Sequence, residues 1–140
     1  MSYADLADLQ QWIDEDKLIR LTDDAGLDAV NESIVSTVLE AASVEIDGYL
    51  GAKYSLPFAS PPAILTKLNV DIAGHLLHIR REGPNEYWQS QYENAITFLK
   101  LVNKGLVSLG VGDPEGSSQN GTVNITSSTR VFNRTKMEGF

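Results

Sequence analysis

None of the 140 residues is a cysteine. That excludes a disulfide framework and thiolate chemistry, and it agrees with a reducing compartment. No apolar run approaches the roughly 18 residues that span a bilayer. The opening Met1-Ser-Tyr-Ala-Asp5 has neither the basic nor the apolar region of a signal peptide, so a soluble, cytoplasmic chain with no membrane partner is expected. Histidine occurs only at His75 and His78, both on one predicted helix, which leaves Ser or Thr nucleophiles little access to an imidazole base. A Gly-x-Ser-x-Gly elbow, a phosphate loop and a dinucleotide fingerprint are all missing. The carboxylate pairs Asp14/Asp16 and Asp23/Asp24 are neighbours in turns rather than groups converging on a pocket. The expectation is a protein that is not an enzyme and uses no cofactor.

Positive charge is also scarce: 11 Lys and Arg against 19 Asp and Glu, a net −8. Residues 1–60 hold twelve acids against Lys17, Arg20 and Lys53. Residues 61–110 hold four acids against five bases, and residues 111–140 three against three. An acidic first half works against gripping nucleic acid, which needs clustered Lys and Arg. The simplest role of these acids is solubility.

What is present is enough apolar residue, 42% of the chain, to bury a core in one domain. Leu6, Leu9 and Ile13 recur at spacings of three and four, predicting a short helix over about 5–12. A second short turn is expected at 15–21, followed by a loop at 22–30. A long helix begins at Asn31 or Glu32 and runs to 50. Val35, Val38, Leu39, Ala42, Ile46, Tyr49 and Leu50 form its apolar stripe, with Glu32, Ser36, Glu40, Ser43 and Asp47 opposite. Gly51 and the proline-rich 56–62 run terminate it. The next helix follows Pro61-Pro62 and reaches 81, with Ile64, Leu65, Leu68, Ile72, Leu76 and Ile79 on one face. Val70, Ala73 and Leu77 make a second face apolar, marking it as the central buried helix. A third long helix covers 85–104, with Gly105 as its C-cap. Leu106-Val-Ser-Leu109 should pack back on the core.

The predicted fold is therefore all-α: a small bundle of about three long helices plus short N-terminal ones over residues 1–110. Residues 111–140 form an extended C-terminal arm. Its 113–121 run has linker composition, and Thr122-Val-Asn-Ile-Thr126 leaves room for a short β-hairpin turning at Asn120-Gly121.

Three constellations invite chemistry. Asp71, His75 and His78 share a helix, yet bundle metal sites draw ligands from facing helices in Glu-x-x-His patterns, and no Glu stands three before either histidine. His78-Ile-Arg-Arg81 reads instead as a polar, partly exposed helix end. With Gly26 at the sixth position of a calcium loop, Glu32 falls on the twelfth, but Leu21 and Ala25 occupy positions that require oxygen. Residues 23–28 are better read as a capped turn between helices. Arg80, Arg81, Lys100 and Lys104 suggest a basic patch for an alternative function, a small helical DNA-binding or regulatory protein, although no stacking aromatics are interleaved.

The arm carries the strongest signal. Arg130-Val-Phe-Asn-Arg-Thr-Lys-Met-Glu-Gly-Phe140 lies beyond a segment too polar to fold by itself. Fraying explains such a segment ordinarily, but gives no reason for Val131, Phe132, Met137 and Phe140. With Arg130 and Arg134 flanking the aromatics, these look like anchors for a partner surface.

The order of features resembles the Mu-like phage and prophage head–tail connector proteins. The segments that carry the resemblance are Tyr3 with Asp5-Leu6, Leu18-Ile-Arg-Leu-Thr-Asp23, Ala41-Ala-Ser-Val-Glu-Ile-Asp-Gly-Tyr-Leu50 and Tyr54-Ser-Leu-Pro-Phe58. Further on come Pro61-Pro-Ala-Ile-Leu65, Asp71-Ile-Ala73, Tyr92-Glu-Asn-Ala95, Gly105-Leu-Val-Ser-Leu-Gly110, Arg130-Val-Phe-Asn-Arg134 and Gly139-Phe140. The 23–28 turn departs from the more calcium-like form of some relatives. The resemblance implies a virion component of the head–tail neck, assembled in the host cytoplasm. It would be an adaptor ring beneath the portal, a homo-oligomer expected to be dodecameric, joining the portal to a stopper or tail-completion protein. Genomic DNA would pass through the lumen without specific binding, and the acids of residues 1–60 are candidates to line it. The portal-docking residues would be Arg130, Val131, Phe132, Arg134, Lys136, Met137 and Phe140, the apolar ones filling pockets and the bases meeting portal acids.

Overall fold

Three of the five helices among the described residues begin where a side chain replaces the missing backbone acceptor. Asp5 accepts from the Asp8 N–H while the Asp8 carboxylate takes the Asp5 N–H, a reciprocal capping box. Asn31 accepts from Ser33 and Ile34, and Asn85 from Trp88. The resulting computed structural model describes residues 2–111, and its elements are α1 (Leu6–Gln10), α2 (Glu15–Thr22), α3 (Glu32–Leu50), α4 (Ala63–Arg81) and α5 (Glu86–Asn103). There is no strand among the described residues, so the body is the small all-α bundle that the periodicity predicts. The arm beyond Val111 and the hairpin at Asn120-Gly121 lie outside the described residues.

The stop signals act as predicted at α5. Gly105 has φ +77°, its N–H donates to Val102 O at 3.0 Å, and the Leu106 N–H donates to Leu101 O at 3.0 Å. Those two bonds make a Schellman cap.

α3, α4 and α5 run up, down and up. The α3–α4 pair is fixed by Asn69, whose amide donates to Leu39 O at 3.2 Å and to Ser43 Oγ. The α4–α5 pair is fixed by ring contacts of His78 with Trp88 and of His75 with Tyr92. α4 is central: every residue from Leu68 to His75 is buried. α1 and α2 pack against α4 and α3, adding Leu9, Ile13, Leu18 and Leu21 to the core. α4 and α5 approach closely at Gly74, where an added Cβ would lie 2.3 Å from Trp88 Cε3.

Five expectations need correcting. The 15–21 turn is a helix through Thr22, whose hydroxyl donates to Leu18 O at 2.7 Å. Ser43 faces inward, because Tyr3 N–H and Asn69 both bond its oxygen. His78 is 2% exposed rather than part of a solvated end. Ile64 and Ile79 are 41% and 47% exposed, because the ends of α4 lack the neighbours that cover its middle. Of the 106–109 run, Val107 and Leu109 pack on the core while Leu106 points outward.

Candidate functional site

Most buried polar groups of α4 have structural partners, the exceptions being Asn69 Oδ1 and His75 Nδ1. His78 Nδ1 lies 2.7 Å from Gly74 O, and since a carbonyl only accepts, Nδ1 is the protonated nitrogen. His75 stacks on Tyr92 with ring centres 4.5 Å apart, and Tyr92 in turn donates to Glu45 at 2.7 Å. That bond to Glu45, aided by burial, pushes the Tyr92 phenol up to about 12. Burial lowers the pKa of His75, outweighing Glu45, while its Nδ1 has no hydrogen-bond partner. Asp71 is paired with Lys67, yet desolvation raises its carboxyl above the ordinary range. No cluster of three potential metal ligands occurs among the described residues. The two histidines serve as stacking surfaces between helices.

The turn after α2 is capped from within. The Asp23 carboxylate accepts from the Leu27 and Asp28 N–H groups at 2.9 and 2.8 Å, while Asp28 takes φ +57°. Asp24 holds both arginines of α4: Arg80 binds its carboxylate, Arg81 Nη1 lies at 2.9 Å, and Arg80 also donates to Leu21 O at 3.1 Å. The hydrogen bond from Arg80 holds the Asp24 carboxyl below its usual range. Lys17 closes the same corner on Glu82 at 2.5 Å.

This geometry dismantles the predicted basic patch. Arg80 and Arg81 end α4, whereas Lys100 and Lys104 lie at the far end of its antiparallel partner. An 18-residue helix is about 27 Å long, so the four bases occupy opposite ends of the body, and two of them are engaged by Asp24.

The surface that remains has two characters. Asp14, Glu15, Asp16, Glu32 and Glu40 are exposed on α2, its N-cap and α3. Scattered among the polar positions are exposed apolar side chains: Leu27 (78%), Leu106 (72%), Val44 (71%), Tyr87 and Trp12. Trp12 lies under Lys67 Nζ, 4.5 Å from the ring centre. Tyr87 and Leu106 mark opposite ends of α5, so apolar surface is presented in more than one direction.

One concave feature stands apart. Tyr3 is pinned between α3 and α4: its N–H donates to Ser43, its carbonyl accepts from Thr66 at 2.9 Å, and its hydroxyl donates to Asp47. Burial and that bond together raise the phenol pKa. Together with Leu56, Pro57, Phe58 and Pro61, Tyr3 and Asp47 line a largely apolar groove of about 310 Å³. Sequence reasoning does not find it, because its walls are brought together only by the α3–α4 turn. The sole hint is that Tyr3 and Tyr54-Ser-Leu-Pro-Phe58 both belong to the segments carrying the family resemblance.

The predicted docking residues Arg130, Val131, Phe132, Arg134, Lys136, Met137 and Phe140 lie outside the described residues.

The described residues thus form a small all-α bundle with apolar side chains exposed at several positions. The chain belongs to the bacteriophage Mu Gp36 family, whose model matches residues 3–127. It is 35% identical over 114 residues to the Mu-like prophage FluMu protein gp36 of Haemophilus influenzae, covering 80% of this chain and 79% of that protein. It is 29% identical over 143 residues to gene product J of Escherichia phage Mu, covering 100% of this chain and 99% of that one. It is thus a protein of Mu-like phages and prophages.

Proposed function

We propose that this chain is a structural, non-catalytic head–tail connector of a Mu-like phage. It forms a ring, dodecameric on the portal, through which genomic DNA passes, and joins the portal to a stopper or tail-completion protein in the neck of the virion. The observation that carries this reading is the family match across residues 3–127. It is supported by apolar side chains exposed at both ends of α5 and on the outer face of α3, as a subunit with several neighbours requires. Exposed carboxylates on α2 and α3 suit a conduit, where like charge keeps DNA from adhering. Residues 111–140 supply the docking arm. Anchored by Arg130, Val131, Phe132, Arg134, Lys136, Met137 and Phe140, the arm docks on the portal, so the portal templates the ring.

Co-sedimentation with the cognate portal, comparing the full chain with a 1–110 truncation, tests this. Rings stacked on portals in negative-stain images with the full chain, and none with the truncation, are expected. Absence of association with either form would overturn the connector assignment.

A further inference from the structure

The groove between Tyr3 and the 56–61 loop has no occupant among the described residues, and its chemistry is specific. Its walls are apolar and proline-rich, with a carboxylate, Asp47, at the rim. At about 310 Å³ it is at the small end of ligand pockets, which run ~300–1,000 Å³. That is room for an aromatic side chain and its neighbours rather than for a large cofactor. Asp47 receives the Tyr3 hydroxyl, and a carboxylate has capacity for further donors. It enters no ion pair among the described residues. A groove of this kind selects an aromatic side chain with a cation close by.

Within this chain that combination occurs at Phe132, flanked two residues away on each side by Arg130 and Arg134. Residues 130–137 carry three bases and no acid, while residues 1–110 carry sixteen acids and eight bases, so a +3 segment is tethered to a −8 body. The point of departure is favourable as well. The Leu109 N–H donates to Tyr54 Oη at 3.0 Å, and the Tyr54 ring lies 5.7 Å from that of Phe58, a wall of the groove. The chain therefore leaves the described body one aromatic ring away. The 18 residues from 112 to 129 span at most about 60 Å when extended, so reach is not limiting. A tether of this kind supplies an effective concentration of order millimolar, enough for a weak contact to be populated.

We infer that in the free subunit the segment from Arg130 to Arg134 of the same chain occupies this groove, with Phe132 against Leu56, Pro57 and Phe58 and an arginine on Asp47. The arm's anchors are then covered until a stronger binding surface competes for them. This goes beyond the connector reading and is independent of it, since it concerns the free protein alone.

Because the chain has no cysteine, Thr135→Cys provides a single site for a nitroxide label on the full chain. Amide signals of Tyr3, Asp47, Leu56 and Phe58 should be several-fold weaker with the active label than after its reduction, while those around Asp24 and Arg80 are unaffected. Phe132→Ala and Arg134→Glu, both outside the described residues, should restore them, as should high salt, which shortens screening to about 3 Å near 1 M. Signals unchanged at the groove, or broadening that persists in Phe132→Ala, would overturn the inference. So would broadening that appears only between labelled and isotope-enriched copies in a mixed sample, which would place the segment on a second copy. The portal experiment is unaffected by any of these results.

Discussion

Gly74 shows how much a missing side chain can decide. Alanine normally favours a helix over glycine by about 1 kcal/mol, so Gly74→Ala would stabilise α4 in isolation. Here its Cβ would meet the Trp88 ring at 2.3 Å, and overpacking of that kind costs about 1–3 kcal/mol. The clash should win, lowering Tm by several degrees in a thermal melt; an unchanged or raised Tm would show that α5 yields at little cost. The sequence marks Gly74 as lying on a helix but not how closely a neighbour approaches, since periodicity assigns faces and not distances. The same limit hides the buried polar set. Asn69, Ser43 and His78 have polar character and core positions because their partners arrive from other turns and helices. His75 and Asp71 make a pH signature of opposite signs. His75 has a lowered folded pKa, so its contribution is complete above the unfolded value near 6.5 and is lost as pH falls toward the folded one. Asp71 has a raised folded pKa, so its contribution is complete at low pH and lost as pH rises through the folded value. His75→Phe should flatten the fall in Tm between about pH 7 and pH 5. The Tm gap between Asp71→Asn and the parent should be more positive at about pH 7 than at about pH 4.

At the level of elements, much of the fold is legible in advance. α3, α4 and α5 match their predicted spans within a residue or two, because apolar spacing of three and four coincides with Asn caps and Gly or Pro stops. α2 is under-read because its eight residues hold two acids and two bases, and only Leu18, Ile19 and Leu21 betray an apolar face. The Schellman cap gives an element-scale prediction. Gly105→Ala places a Cβ on a residue at φ +77° and should cost about 1–2 kcal/mol, the left-handed penalty. Urea unfolding with an unchanged m-value would register it as a lower midpoint. The basic patch fails at this scale too: linear sequence cannot show that a short turn between α4 and α5 sends Lys100 and Lys104 away from Arg80 and Arg81.

At the scale of the whole molecule, the buried apolar side chains among the described residues run from Ala4 to Val102. Removing 111–140 should therefore leave the helical circular dichroism spectrum and the cooperative melt of the body intact, since the Leu109 to Tyr54 bond survives the cut. A collapsed spectrum would mean that the arm contributes to the fold and not only to docking. The candidate site divides along the same line. The proposed anchors rest on a sequence pattern of bases and aromatics alone, whereas the Tyr3–Asp47 groove exists only once α3 and α4 have folded back on each other.

The tether from Leu109 to Tyr54 also gives the subunit a direction. The chain departs at the end of the bundle formed by the α3–α4 turn and the end of α5. The opposite end is locked by Lys17–Glu82 and Asp24 with Arg80 and Arg81. In a closed ring, rotation repeats each point of the subunit on the same rim. A ring whose bundles run along its rotation axis would carry every point of departure on one side and every ionic lock on the other. It would be a washer with two unlike faces, able to stack in one orientation only.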